Sequence, residues 1–272
     1  MMEVKIGKKA FFVNGPDAPG AKDFWVYVNA KQWEYETYRI FDVFLNKEHS
    51  YVDMGAWVGP TVLYGAQLAK HCYAIEPDAV ALQNLIQNIN LNPTLKNKIT
   101  IFNGCIWDSS GKVKLGTMSE FGDSMSSVSF EQSEKIQTVM SLTLDEYMEE
   151  NGINDCNFIK MDIEGGESSV LPNAKVYLKK NQPTLFLSLH QFMFKDREQY
   201  SRSVVEALSV YKNFYSVNGR RITLDHLTRV LTSPWTLNYS VVATDKIVGI
   251  PERLPLLFNT LAKIINKALT HG

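Results

Sequence analysis

Short apolar runs alternate with longer stretches of helical periodicity through most of this chain. Runs rich in aliphatic and aromatic residues predict buried strands at residues 50–54, 72–76, 99–102, 157–161 and 184–189. The stretches between them carry apolar residues at helical spacing, which predicts helices at residues 60–70, 78–90, 143–150 and 167–180. Strands that alternate with helices indicate an α/β fold with a doubly wound, mostly parallel sheet. Two further runs extend that sheet to seven strands, at residues 213–217 and 238–243.

Three segments stand outside this alternation. Residues 1–48 form an N-terminal extension with a helix predicted near 31–46, and residues 112–140 form a small β insertion of short strand-like pieces between glycine- and serine-containing turns. Residues 251–270 are typical of a C-terminal amphipathic helix, because leucine, isoleucine and phenylalanine recur there at three- and four-residue steps. No repeat or linker marks a boundary, so we expect one domain over residues 1–272.

The predicted C-terminal amphipathic helix has an apolar face that more than one kind of partner could cover. Its apolar face packs either on the domain itself or on a second copy in a homo-oligomer, and the alternative is peripheral contact with a membrane surface. Apolar stretches everywhere fall short of a membrane span, and the N-terminus lacks the apolar core of a signal peptide. We therefore expect a cytoplasmic protein that is not integral to a membrane.

The net charge and the cysteine content of the chain narrow the classes of molecule that it is expected to bind. The 28 basic and 29 acidic side chains give a formal net charge of −1, so no overall field draws the chain onto nucleic acid. Cys72, Cys105 and Cys156 lie far apart and without zinc-site spacing, which is typical of free thiols in a reducing compartment. A small molecule is therefore the expected partner, and nucleic acid is not.

The loop after the first strand of the predicted sheet is the expected ligand site, because ligands of such sheets bind beyond the carboxyl ends of the strands. It reads Asp53-Met-Gly-Ala-Trp-Val-Gly-Pro-Thr61, in which Gly55 permits a tight exit from the strand and Gly59 a close approach of the next helix. A dinucleotide fingerprint needs further glycines at positions 57 and 60, which here are Trp and Pro. The loop therefore suits a ligand without a pyrophosphate, such as S-adenosylmethionine, whose carboxylate the N–H groups of the helix start would hold.

Further cofactor contacts are expected beside this loop. Ala56 and Thr61 belong to the loop itself, and Asp53 would face the ammonium or sulfonium group of the cofactor. Glu76 ends the second strand 21 residues after Gly55, where a carboxylate accepts hydrogen bonds from both ribose hydroxyls.

The adenine ring is expected near the end of the third strand, at residues 103–107. Asn103 or Asp108 would read the exocyclic amine, and Cys105 is a further expected contact of the cofactor. Ile106 or Trp107 would pack on the ring, although burial in the core explains Trp107 equally well.

Several motifs taken together resemble one protein family. They are Asp53-Met-Gly-Ala-Trp-Val-Gly-Pro-Thr61, Ile75-Glu-Pro77, Asn88-Ile-Asn-Leu-Asn92, Leu142-Thr-Leu-Asp145 and Ile159-Lys-Met-Asp-Ile-Glu-Gly-Gly-Glu167. This combination, spread over residues 34–192, resembles the FkbM family of S-adenosylmethionine-dependent methyltransferases. The resemblance implies a Rossmann-like class I methyltransferase sheet and O-methylation of an acceptor hydroxyl, commonly on a sugar or a polyketide. Trp57 departs from the small polar residue usual in the family, and His190 stands where the family often has an acid.

Three polar residues at strand ends are the candidates for the chemistry. Methyl transfer from a sulfonium needs the acceptor oxygen aligned behind the methyl group and, for an alcohol, a group that takes its proton. Asp162 and Glu164 follow the fourth strand, and His190 ends the fifth. His190 would act as a general base beside the carboxylates, or the three residues would hold a divalent metal ion. Structural roles stay open as well, namely a turn cap for Asp162, a helix start for Glu164 and a satisfied, partly buried histidine for His190.

The acceptor side is the least constrained. Phe192 and Phe194, together with Phe121 and residues 123–127 of the insertion, would line a pocket for a sugar, or residues 123–127 form an exposed polar loop. Two other functions are open, namely an NAD-dependent oxidoreductase on a related sheet and a non-catalytic subunit that keeps the cofactor. The missing glycines argue against the first, and the intact carboxylates at the strand ends argue against the second.

Overall fold

A central sheet of eight strands organises the part of the chain that the computed structural model describes, which is residues 1–15, 21, 23–130 and 133–249. The strands of these residues are β1 (Met2–Ile6), β2 (Lys9–Val13), β3 (Ser50–Met54), β4 (Cys72–Ile75), β5 (Ile99–Phe102), β6 (Cys105–Ile106), β7 (Gly111–Thr117), β8 (Ser126–Ser127), β9 (Ile136–Leu142), β10 (Cys156–Met161), β11 (Thr184–Leu189), β12 (Asn213–Ser216), β13 (Arg221–Ile222) and β14 (Tyr239–Thr244). The order across the central sheet is β13-β12-β14-β11-β10-β3-β4-β5. The strands from β11 to β5 are parallel, and β14 is antiparallel to both of its neighbours.

Helices pack on both faces of this sheet. Those of the described residues are α1 (Phe24–Asn29), α2 (Tyr35–Phe44), α3 (Pro60–Gly65), α4 (Ala79–Asn90), α5 (Pro93–Lys96), α6 (Leu144–Glu150), α7 (Glu167–Asn173), α8 (Lys175–Asn181), α9 (Arg197–Leu208) and α10 (Leu224–Thr232). One buried apolar cluster joins the sheet to α1 through α5, and a second joins it to α6 through α10. Every helix among these residues falls short of the length and apolar character that a membrane crossing requires.

The central strands are buried on both faces, which explains their nearly continuous apolar sequences. All residues of β3 and β11 are buried. Successive side chains of β10 point to opposite faces, so Phe158 enters the first apolar cluster and Ile159 the second. The prediction of a doubly wound, mostly parallel sheet is therefore confirmed, with the two-residue strand β13 as an eighth member at the edge.

The pattern predicts a helical N-terminal extension. The extension instead begins with an antiparallel hairpin of β1 and β2. The predicted helix near residues 31–46 is observed as α2. The hairpin packs against α4 through two asparagines of the Asn88-to-Asn92 motif. Asn92 accepts the N–H of Phe12 at 2.8 Å, and Asn88 accepts the N–H of Asn14 at 2.9 Å. These amides satisfy backbone groups on the edge of the hairpin, and they fasten it to the main domain.

The β insertion forms a second sheet of four strands, in the order β6-β9-β7-β8. The long strands β7 and β9 pair antiparallel, and β6 precedes the predicted bounds of 112–140. The predicted β insertion therefore contributes β7, β8 and β9, and β6 from outside its bounds completes the sheet. The predicted C-terminal helix at 251–270 lies outside the described residues.

Candidate active site

A cavity of about 650 Å³ opens at the carboxyl edge of the parallel strands. The residues that follow β3, β4, β10 and β11 form most of its wall, and residues 123–128 of the insertion line another side. Trp33 and Glu34 of the N-terminal extension and Leu237 and Asn238 before β14 also line it. Sequence reasoning missed these last four, because they come from parts of the chain outside the strand-end motifs.

The loop after β3 has at Gly55 the tight exit that the sequence predicts, and Gly59 lies where helices pack closely, away from the cavity. Gly55 has a φ of 79°, and a Cβ atom on it would lie 1.8 Å from the carbonyl oxygen of Asp162, so only glycine fits there. Gly59 does not line the cavity, because a Cβ atom there would lie 2.6 Å from Cδ1 of Leu85 on α4. Gly59 therefore permits close packing of two helices rather than approach to a ligand.

The backbone donors of this loop are engaged with the next strand. The N–H groups of Gly55 and Ala56 both donate to the carbonyl of Ile75, at 3.1 and 3.0 Å. Ala56 and Thr61 line the cavity as expected. The N–H of Ala56 is nevertheless taken, so it is not among the donors that could hold a carboxylate.

Asp53 lies beneath the cavity rather than in its wall, which corrects the expected contact with the cofactor. It is fully buried and stands beside Lys160 in the register of β3 and β10. The Lys160 Nζ atom lies 3.3 Å from Asp53 Oδ1 and 3.5 Å from Asp162 Oδ2, and it donates to the carbonyl of Gly55 at 3.1 Å. Burial alone would lower the pKa of Lys160, but the two carboxylates raise it, so the lysine keeps its positive charge. Lys160 lines the cavity, and it is a site residue that sequence reasoning missed.

Glu76 is a buried carboxylate in the cavity wall, at the strand end where the sequence places it. Its Oε2 atom accepts the N–H of Trp57 at 2.6 Å, and its Oε1 atom accepts the N–H of Asp78 at 2.8 Å. Burial raises the pKa of Glu76 to about 7, against the effect of these two hydrogen bonds. Glu76 therefore ties the loop after β3 to the turn after β4.

The residues after β5 divide between cavity and solvent. Cys105 lines the cavity together with Ile106 and Trp107. Asn103 is exposed and lies outside the cavity wall, so its predicted contact with adenine is not supported. The reason is local, because Asn103 turns outward at the bend between β5 and β6.

Two side chains, Trp57 in the loop after β3 and Asp78 in the turn after β4, hold the insertion over the cavity. The indole Nε1 of Trp57 donates to the carbonyl of Gly122 at 2.9 Å. The Asp78 Oδ2 atom accepts the N–H of Gly122 and the hydroxyl of Ser126, both at 2.8 Å. Trp57 has a φ of 48°, a value that is uncommon for a bulky residue, and its bonds to Glu76 and Gly122 fix this conformation. The residue that departs from the family pattern thus connects the two sides of the cavity.

Asp162, Glu164 and His190, which we call the His190 cluster, meet in the cavity wall as their strand-end positions predict. The Nε2 atom of His190 lies 3.6 Å from Asp162 Oδ1 and 3.7 Å from Glu164 Oε2. The Oε2 atom of Glu164 is buried without a hydrogen-bond partner among the described residues. Burial raises the pKa of Glu164; burial alone would lower that of His190, but the neighbouring carboxylates raise it.

A third carboxylate lies behind the His190 cluster. Glu167 is fully buried, and its Oε1 atom lies 3.2 Å from His190 Nδ1. Its Oε2 atom accepts the hydroxyl of Tyr200 at 3.0 Å. The sequence marks Glu167 only as part of the family motif, and Tyr200 belongs to α9, a helix that the apolar pattern did not predict.

The aromatic candidates for the acceptor side separate in the structure. Phe192 lines the cavity, as do residues 123–127 of the insertion. Phe194 instead packs on Tyr200 with ring centroids 4.7 Å apart, and Phe121 packs against the core of the insertion. The expected pocket lining is therefore reduced to Phe192 and the polar loop.

Comparisons with known proteins point to one family. The family model described as "Methyltransferase FkbM domain" matches residues 53–215. Among solved structures, methyltransferase FkbM from Methylobacillus flagellatus is 18% identical, with a TM-score of 0.46, over 80% of this chain and 52% of that chain. This chain thus spans about half the length of that protein.

Two other solved structures are similar at lower identity. An rRNA methylase from Streptococcus thermophilus is 11% identical, with a TM-score of 0.43, over 76% of this chain and 92% of that one. The Streptococcus mutans protein SMU.1697c, solved in complex with SAH, is 10% identical, with a TM-score of 0.42, over 78% of this chain and 96% of that one. No curated protein matches the chain.

Proposed function

Because this chain belongs to the FkbM methyltransferase family, we propose that it transfers the methyl group of S-adenosylmethionine to an oxygen atom of a sugar, a glycan or a similar small acceptor. One observation carries the proposal beyond the family. A single cavity has Glu76 and the loop after β3 in one part of its wall and the His190 cluster in another. A donor site and an acceptor-activating site in one cavity are what a transfer reaction requires.

The residues in the wall fit this cofactor. Glu76 would accept the ribose hydroxyls, and Met54, Ile75, Ile106 and Trp107 supply apolar surface for the adenine. The absence of a Cβ atom at Gly55 keeps the adjoining strand ends close enough to form one continuous wall.

The charge balance of the wall also suits a sulfonium. Among the described residues, two cationic groups, Lys160 and His190, line the cavity together with five carboxylates, which are those of Glu34, Glu76, Asp123, Asp162 and Glu164. Lys160 is already compensated by Asp53 and Asp162, so the surroundings favour a positively charged ligand. S-adenosylmethionine supplies the methyl group on such a cation when it is bound.

The His190 cluster would activate the acceptor hydroxyl. The three carboxylates around His190 favour its protonated form, so Asp162 or Glu164 is left to take the proton from the hydroxyl. Glu164 suits this role best, because one of its oxygens is buried without a hydrogen-bond partner among the described residues, and because burial has raised its pKa.

The same three side chains have a donor set that fits a divalent metal ion. One ligand atom of each lies within 4.8 Å of the others, and two carboxylates with one imidazole are ligands that such ions accept. A bound ion would polarise the acceptor hydroxyl, and His190 would then be neutral. Whether a base acts alone or with a metal ion is decided by experiment.

The test is incubation with labelled S-adenosylmethionine and a panel of nucleotide-linked and lipid-linked sugars. Glu164→Gln should keep cofactor affinity in calorimetry but lower turnover by about 10²–10⁴-fold, as is typical when acid–base catalysis is lost, and His190→Ala should lower turnover as well. If a metal ion acts, a chelator should inhibit the wild type and Mg²⁺ or Mn²⁺ should restore it. Near-normal turnover in both His190→Ala and Glu164→Gln would reject both roles, and binding of NAD in place of S-adenosylmethionine would favour the oxidoreductase.

A further inference from the structure

The Nδ1 edge of the His190 ring meets a buried carboxylate that does not line the cavity. Glu167 is fully buried, and its Oε1 atom lies 3.2 Å from Nδ1 of His190 and accepts the N–H of Ile163 at 3.2 Å. A carboxylate is only an acceptor, so Nδ1 must carry the proton in this contact. The other ring nitrogen, Nε2, is thereby directed to Asp162 and Glu164.

Tyr200 closes this arrangement from a different helix. Its hydroxyl donates to Glu167 Oε2 at 3.0 Å, and its oxygen accepts the backbone N–H of His190 at 3.2 Å. Ring, carboxylate, hydroxyl and backbone therefore form a closed set of hydrogen bonds around one residue. Tyr200 is itself buried, with 2% of its surface exposed, so water does not compete for these bonds.

We propose that Glu167 and Tyr200 are positioning residues, which hold the His190 ring so that Nε2 faces the acceptor side of the cavity. This inference rests on the proposed function, because it assigns the orientation of a residue in that site. Neither residue lines the cavity, so each would act through His190 and not by touching substrate.

The connectivity distinguishes this role from simple packing. A buried carboxylate is costly unless its oxygens are hydrogen-bonded. Among the described residues, the hydrogen-bond partners of Glu167 are His190, Tyr200 and the N–H of Ile163 in the loop after β10. A carboxylate that orients a histidine through one nitrogen leaves the other free for chemistry or for a metal ion. Both versions of the proposed reaction therefore need the same orientation.

The test uses Glu167→Gln and Tyr200→Phe, with Tyr211→Phe as a matched control. Tyr211 is also buried in the second apolar cluster, but its hydroxyl donates to the carbonyl of Pro183 at 2.7 Å and has no contact with His190. The first readout is the proton resonance of the His190 Nδ1–H, assigned by NMR through its absence in His190→Ala. The second is turnover, with cofactor affinity measured in parallel by calorimetry.

Glu167→Gln should shift or remove the Nδ1–H resonance and lower turnover about 10- to 100-fold, with unchanged cofactor affinity. Tyr200→Phe should move the resonance in the same direction, with a smaller loss of turnover, and Tyr211→Phe should change neither. An unmoved resonance in both Glu167→Gln and Tyr200→Phe would overturn the proposal, as would equal turnover in Tyr200→Phe and Tyr211→Phe. If the wild type methylates no acceptor, the proposed function fails, but the resonance still decides whether Glu167 and Tyr200 hold the ring.

Discussion

Glu76 offers the sharpest test of the proposed cofactor site, because each of its two carboxylate oxygens accepts a different backbone N–H. Replacement by alanine leaves the N–H groups of Trp57 and Asp78 without their acceptors. Each buried, unsatisfied N–H costs about 1–3 kcal/mol, so the free energy of unfolding should fall by that amount or more. The lost contacts to ribose should cost a further 1.5–3 kcal/mol of binding free energy, or about ten- to a hundredfold in affinity.

Calorimetry with S-adenosylhomocysteine and urea unfolding separate these two effects. Glu76→Gln keeps an acceptor oxygen and the side-chain volume, so it should lose less stability than Glu76→Ala and still bind more weakly than the wild type. Glu146→Ala is the control, because it also removes a carboxylate that accepts a backbone N–H, that of Thr143 at 3.1 Å, but far from the cavity wall. Glu146→Ala should lower stability and leave affinity unchanged.

The pH dependence of binding gives an independent check on Glu76. Burial raises the pKa of Glu76 to about 7, and in the proposed site the ribose hydroxyls would donate to its ionised form. Cofactor affinity should therefore increase as the pH rises towards 7 and then level off, and this increase should be absent in Glu76→Gln. Wild-type affinity in Glu76→Ala, or the same pH dependence in Glu76→Gln, would remove Glu76 from the site.

Three further outcomes are expected. Gly59→Ala should lower the free energy of unfolding by about 1–3 kcal/mol, because its Cβ atom would overlap Leu85. The folded variant should keep its affinity for S-adenosylhomocysteine in calorimetry. Weaker binding without lost stability would contradict this. Trp57→Phe, which loses the indole bond to Gly122, should raise the KM for the acceptor and leave cofactor affinity nearly unchanged, and an unaltered KM would show that the bond does not place the insertion. Wild-type turnover should rise with pH, because burial raises the pKa of Glu164 and only the ionised carboxylate accepts a proton. If turnover still rises with pH in Glu164→Gln, the rise belongs to another group.

The central strands were the most predictable part of the fold. Strands β3 and β11 have the bounds that their apolar runs predict, because residues buried in the middle of a sheet leave a continuous signal. The half-buried edge strand β5 also has its predicted bounds. The helix predicted at residues 167–180 is instead two helices, α7 and α8, which meet at Ala174 just after Pro172. Apolar periodicity continues through this junction, and it therefore did not reveal the break.

The site was predictable where a strand end determines it. Glu76 and the His190 cluster lie in the cavity wall because neighbouring parallel strands bring their carboxyl ends together. The same reasoning misplaced Asp53 in the cavity wall. Asp53 lies within β3, one residue before the strand ends, where Lys160 of β10 is its neighbour. Tyr200 could not be found at all, since its contact with Glu167 joins residues that are 33 positions apart in the sequence.

The attachment of the insertion has a consequence for how acceptor range changes in evolution or by design. Trp57 and Asp78 bind the carbonyl and the N–H of Gly122, which are main-chain groups that any sequence supplies. Within residues 123–128, the side chains of Asp123, Ser126 and Ser127 make hydrogen bonds and Val128 is buried in the insertion, whereas Ser124 and Met125 have no such role among the described residues. The identities of Ser124 and Met125 can therefore vary while the loop stays in place. A library confined to these positions would explore new acceptors on an unaltered cofactor site.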